Sequence, residues 1–178
     1  GKEVVMIFKR LIEKIKAAWP RIPILIRGDS HYVSPEIMDF CESNKIHYIF
    51  GLTPNKKTVA MAAGIKDQAF SIYKKAQRPS KIYSEFHYQA GTWSKARRVI
   101  VKAEYNQLGP NTRFVVTNIQ NAWRKFVYEK VYCGRGLMEL FIKEHKNHLA
   151  SDRTSCTGFS ANQFRLFLHS IAYILLQT

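Results

Sequence analysis

Apolar positions near the start of the chain, Val4, Ile7, Phe8, Leu11, Ile12 and Ile15, recur at steps of three and four with Lys and Arg between them. That spacing predicts an amphipathic helix over Lys2–Trp19, ended by Pro20 and Pro23. Ile22–Ile26 is a short branched apolar run between Pro and Gly28, and predicts a buried strand. Ser34-Pro35-Glu36 carries a helix start, Ser at the N-cap and Pro at the first helical position, and the helix runs to about Asn44. His47–Leu52 predicts a second strand. Strand, helix, strand is the grammar of an α/β sheet.

The texture then changes. Thr53–Gly64 is basic, with Lys56 and Lys57, and reads as loop or short helix. From Lys81 to about Glu104 the pattern alternates and is rich in Tyr, Phe, Val and Thr, which predicts antiparallel strands broken at Ala90-Gly91. Leu108-Gly109-Pro110-Asn111 is a turn, and Arg113–Asn118 another strand. Trp123–Val131 predicts a short helix, followed by a longer one that ends near Leu149. Ser160–Gln177 predicts a last helix with Phe164, Phe167, Leu168, Ile171 and Leu175 on its buried side. The chain thus divides into residues 1–52, the first part of an α/β core; 53–112, a β-rich insertion; and 113–178, a helical part of the core.

Charge narrows the class of partner. The 178 residues carry a formal net charge of +15, which points to an anionic partner, nucleic acid first and an anionic membrane second. Cys41, Cys133 and Cys156 form no C-x-x-C pair, an arrangement that suits a reducing compartment, the cytoplasm, better than a disulfide framework. The apolar tail Leu166–Leu176 is too short to span a bilayer and is interrupted by His169 and Ser170. Only Lys2–Trp19 approaches a membrane-surface helix, so a membrane partner ranks last.

The densest chemistry lies at Tyr132-Cys133-Gly134-Arg135-Gly136-Leu137-Met138-Glu139 and on to Lys146. Tyr132, Arg135, Glu139 and Lys146 are separated by three, four and seven positions. On one continuous helix turning about 100° per residue, these steps fall within a single stripe. Leu137, Met138, Phe141, Ile142 and Leu149 then point elsewhere and bury. Asp29 follows the strand before Gly28, and ligands of α/β sheets bind at such carboxyl ends. A turn residue or helix cap is the plain alternative for Asp29, and solvated ion pairs are the alternative for the stripe. Two carboxylates offer hard oxygen ligands suited to Mg²⁺ or Mn²⁺. A pair of such ions, roughly 3.5–4 Å apart, clamps the attacking and leaving oxygens of a phosphodiester. Arg135 and Lys146 are suited to flanking phosphates, and Lys143 adds charge nearby.

Tyr132, Arg135, Glu139 and Lys146 match the Y-x2-R-x3-E-x6-K signature, and the chain resembles insertion-sequence transposases with a DDE catalytic domain. Arg27-Gly28-Asp29-Ser30-His31-Tyr32, Tyr48-Ile49-Phe50-Gly51-Leu52 and the stretch Asp152–Leu166 resemble one branch of that family. The resemblance implies a ribonuclease-H-like fold with a β insertion between the second and third catalytic acids. It also implies that Asp29 is the second acid and Glu139 the third, that two Mg²⁺ (or Mn²⁺) ions complete the site, and that the partners are transposon-end and target DNA held by a homodimer in a bacterial cytoplasm. Tyr132, Arg135, Lys146 and Lys143 become DNA contacts. The family's first Asp lies on a first core strand, whereas the acids upstream of Asp29 are Glu3 and Glu13, both in the opening helix. The expectation is therefore a C-terminal portion of the catalytic domain, inactive alone.

Weaker signals remain. Trp93 with Lys95, Arg97 and Arg98 combines aromatic and basic side chains suited to DNA in the insertion, with a core Trp as the alternative. His145 and His148 do not form H-E-x-x-H and read as ordinary helix histidines. Cys133 has no His or Asn partner at a recognisable spacing and does not read as a nucleophile. The competing function is a non-catalytic basic DNA-binding remnant.

Overall fold

A computed structural model describes residues 2–177, with the side chains of residues 2–4, 135, 137 and 138 outside the description. Two compact units form, residues 1–133 and 134–178.

The first unit is built on a five-stranded mixed sheet. Its strands are β1 (Leu25–Gly28), β2 (His47–Leu52), β3 (Ser80–Tyr88), β4 (Arg97–Asn106) and β5 (Gly109–Thr117), in the order β1-β2-β5-β4-β3. β1 and β2 are parallel, with Gly28 opposite Phe50. The parallel pair is joined by α2 (Pro35–Ser43), because parallel neighbours need a crossover. β3, β4 and β5 form an antiparallel meander, and β5 closes onto β2 with Ile49 opposite Thr117 and Leu52 opposite Phe114. Thr117 Oγ1 donates to the Tyr48 carbonyl at 2.6 Å. The Asn118 amide bridges β2 as well, accepting from Tyr48 N at 2.9 Å and donating to the Ile46 carbonyl at 2.8 Å.

Period-two alternation sorts the central strands into two cores. Tyr48, Phe50, Val99, Val101, Phe114 and Val116 pack on one face with Met38 and Cys41 of α2 and with Val5 and Ile12 of α1 (Lys2–Ala18). Ile49, Ile100 and Val115 pack on the other with Val127 and Tyr128. β2 is buried on both faces, which is why its sequence is a nearly continuous apolar run. On α1 the side chains of Ile7 and Leu11, expected inside, are exposed.

The 53–112 stretch differs from the expectation in its first third. α3 (Lys56–Met61) is the short helix allowed for there, whereas α4 (Ala63–Ala76) is a helix in a stretch expected to be β-rich. Asn55 and Thr58 make a reciprocal capping box that starts α3, and α4 packs on β3 and β4. The sheet also runs across the boundaries expected at 52 and 112, since β5 begins at Gly109 and pairs with β2.

After β5 comes α5 (Arg124–Phe126), a single turn that passes into a π-helical segment, Val127–Tyr132, and a 3₁₀ turn, Cys133–Arg135. The second unit holds α6 (Gly136–Leu149) and α7 (Phe159–Gln177). Tyr173 donates to Glu144 Oε2 at 2.7 Å, and His145 Nδ1 lies 2.6 Å from Ser151 Oγ. The residues expected on a buried side of α7, Phe164, Phe167, Leu168, Ile171 and Leu175, are all half or more exposed. A two-helix unit has too little surface of its own to enclose them. Phe141 and Ile142 of α6, also expected to bury, are exposed for the same reason.

Candidate active site

Asp29 stands one residue beyond the end of β1. The parallel register that pairs Gly28 with Phe50 puts the Asp29–Ser30 backbone beside Gly51, the next residue of β2. The chain turns here through a short 3₁₀ segment, Ser30–Tyr32, capped by Asp29 itself. Asp29 Oδ1 accepts from His31 N at 3.0 Å and lies 3.2 Å from His31 Nδ1. The cap fixes the direction of a half-exposed carboxylate, which is the turn role weighed for this residue.

Two glycines admit tyrosines around this turn. A Cβ on Gly28 would lie 2.7 Å from Tyr32 Cδ2, and a Cβ on Gly51 would lie 2.7 Å from the Tyr132 hydroxyl. Tyr32 also stacks on Phe50, on the α2 side of the sheet. Tyr132 lies on the other side, packed on the Ile49 core with its ring 5.6 Å from that of Tyr128. Arg27 of β1 holds the same segment, its Nη1 donating to the Val131 carbonyl at 3.2 Å. Arg27, Tyr32 and Gly51 lie in stretches that carry the family resemblance, but the sequence assigned them no role. A glycine within a strand pattern was the available signal, since it marks close approach of another group.

The single uniform helix assumed from Tyr132 to Lys146 is not what the chain adopts. Winding changes from π to 3₁₀ to α between Tyr132 and Gly136, so a constant angle per residue fails there. Tyr132 closes the first unit. Glu139, Lys143 and Lys146 are exposed on α6 in the second, and their steps of four and seven keep them on one helix face. The Arg135 side chain lies outside the described residues.

Trp93 takes the core alternative weighed for it, and the expectation that Arg97 and Arg98 face DNA is corrected. All three are buried, and the two guanidiniums are committed to neighbours. Arg97 Nε donates to Glu42 Oε1 at 2.8 Å, its Nη2 donates to Asp39 Oδ1 at 2.6 Å, and its guanidinium lies over the Trp93 ring. Arg98 donates to the carbonyls of Ile119, Gln120 and Ala122 and to Glu85. They hold the sheet and the β5–α5 connection together and are not presented to DNA. Lys56 and Lys57, by contrast, are exposed on α3.

Among the described residues, no three His, Cys, Asp or Glu side chains converge where a cation would sit. Asp29 supplies the right kind of donor for a hard cation but not the number, since Mg²⁺ takes about six oxygens.

A family model described as Transposase DDE domain group 1 matches residues 1–178. The chain belongs to the DDE transposase family. The search of curated proteins gives no significant match, and the search of solved structures gives none either. Transposases with a DDE domain act on DNA and generally use divalent metals. No helix among the described residues of the transposase is long and apolar enough to cross a membrane.

Proposed function

We propose that this transposase cuts the DNA at the ends of an insertion sequence and transfers the freed 3′-hydroxyls to target DNA, with Asp29 as the second acid and Glu139 as the third. One observation carries the reading beyond family membership. Asp29 is held at the carboxyl end of a parallel strand with its carboxylate half-exposed and aimed by its own cap. A ribonuclease-H-like core is the arrangement that suits a β1–α2–β2 parallel unit with an acid at that point. Glu3 and Glu13 both belong to α1, not to a strand, so neither is assigned as the first acid.

Asp29 and Glu139 are the carboxylates that would hold Mg²⁺ or Mn²⁺, two ions in the complete site, which when bound stabilise charge on the attacking and leaving oxygens. Lys143 and Lys146 share the helix face of Glu139 and neutralise flanking phosphates, with Arg135 assigned the same role by the signature. The active form on paired ends is a homodimer.

The test is cleavage of labelled end DNA in Mg²⁺ by the complete transposase, with its first acid in place, and by its Glu139→Gln and Asp29→Asn variants. Cleavage by the parent, reduced to background in both variants with DNA affinity kept, is the expected result. Binding without cleavage by any of the three would replace this reading with the non-catalytic DNA-binding one, which the net charge of +15 suits equally.

A further inference from the structure

A Cβ on Gly51 would stand 2.7 Å from the Tyr132 hydroxyl, 3.4 Å from Ser30 N and 3.6 Å from the Asp29 carbonyl carbon. The hydroxyl and the turn that presents Asp29 thus border the same small space over Gly51. We infer that Gly51 is a positioning residue, present so that Tyr132 can brace the Asp29–Ser30 turn from beneath; this rests on the assignment of Asp29 to the active site.

Three observations converge on the role. Gly51 is buried in the middle of the sheet, and a small residue is not needed there for backbone reasons, since the one positive-φ glycine among the described residues is Gly109. Space alone selects glycine. Arg27, two residues before Asp29, ties β1 to the Val131 carbonyl, one residue before Tyr132. The same strand thus holds both the turn and the segment that carries its brace. On the opposite face of the sheet Gly28 admits the ring of Tyr32 in the same way, so the turn sits between two tyrosines lodged over glycines. The first residue of the Y-x2-R-x3-E-x6-K signature then serves the second acid as a support, in addition to any contact with DNA.

A Cβ at residue 51 would collide with the far end of a side chain, so Tyr132 is what moves. Gly51→Ala should displace Tyr132 and loosen the turn, and Tyr132→Phe should make room for the added methyl. The experiment compares the parent, Gly51→Ala, Tyr132→Phe and the double variant of the full chain. Single-turnover cleavage of end DNA, end-DNA affinity by fluorescence anisotropy and Tm are measured for each. Gly51→Ala should slow cleavage about tenfold or more while affinity stays within about threefold, the mark of lost positioning and not lost binding. The double variant should cleave faster than Gly51→Ala and approach the rate and Tm of Tyr132→Phe, a non-additivity expected of groups in contact. Parent-like cleavage by Gly51→Ala, or a double variant no better than Gly51→Ala, would overturn the inference. If the parent itself does not cut end DNA, the transposition chemistry fails, while the Tm cycle still decides the brace: additive shifts would sink it.

Discussion

Arg97 and Glu42 form the best-buried ion pair described in the protein, Nε to Oε1 at 2.8 Å and Nη2 to Oε2 at 3.0 Å, with the arginine side chain 2% exposed. Tyr48 donates to the same carboxylate at 2.8 Å, and Lys95 lies 3.1 Å from it. The cluster links α2 to β2 and β4. Removing one partner of such a pair strands the other in a poorly hydrated place. Arg97→Ala is expected to cost about 3–5 kcal/mol in urea unfolding. A cost below about 1 kcal/mol would mean that the pair behaves as a surface contact.

Burial alone would raise the Glu42 pKa, but the hydrogen bonds from Arg97, Tyr48 and Lys95 outweigh it and hold the carboxyl below its ordinary value. A depressed folded-state pKa means stability that is present above the unfolded-chain value, about 4.3 for Glu, and lost as pH falls through the folded value. Unfolding free energy should therefore decline below about pH 4.5, and Glu42→Gln should flatten that slope. An identical acid limb in parent and variant would rule Glu42 out as its source.

Burial, with a smaller contribution from the Glu42 charge, pushes the Cys41 thiol up to about 12. Cys133 is exposed. The thiolate is the reactive form, so at neutral pH iodoacetamide should label Cys133 in the folded protein and Cys41 only after unfolding. Peptide mapping by mass spectrometry reads the two sites separately, and fast native labelling of Cys41 would contradict its burial.

DNA affinity should fall steeply with salt, by a slope of about 0.9 in log K per log salt for each phosphate neutralised. Exposed and buried cations should separate in this assay. Replacing Lys56 and Lys57 together by Gln is expected to lower the slope by about one to two. Arg98→Met should leave the slope unchanged and instead weaken hydrogen-exchange protection around residues 119–122, whose carbonyls it serves. A slope change with Arg98→Met would return that residue to the DNA surface.

Most strands and helices were legible because their periodicities are local: His47–Leu52 and the helix start at Ser34-Pro35 stand where the pattern placed them, whereas the buried strand expected over Ile22–Ile26 forms over Leu25–Gly28 at the sheet edge with Ile22 and Leu25 exposed. α4 escaped notice because its face toward the sheet is weakly apolar, with Ala69 its one buried residue. Arg97 and Arg98 misled because a basic cluster beside an aromatic looks the same in sequence whether it meets DNA or closes over Glu42 and Glu85. The stripe misled for another reason. Counting along the chain gives an angle only if the winding is known, and the π segment ending at Tyr132 changes it. Asp29 was readable at a strand end, whereas the company it keeps with Gly51 and Tyr132 depends on a pairing register and a close approach that spacing does not encode.

The pairing of β2 with β5 has a kinetic consequence. β4 and β5 are joined by a turn from Asn106 to Gly109, and β3 meets β4 across Tyr88 to Arg97, so the meander closes through short loops. The Leu52–Phe114 pairing instead spans 62 positions (114 − 52). Closing a flexible loop of that length costs about 3–4 kcal/mol of chain entropy before any contact repays it. The meander and the β1–α2–β2 unit should therefore form early and separately, and the zipper between them should close last. Thr117 and Asn118, with their bonds to the Tyr48 and Ile46 backbone, sit at the clasp of that zipper. Until it shuts, Gly51 has no neighbour on its β5 side, and the Asp29 turn has only half of its scaffold.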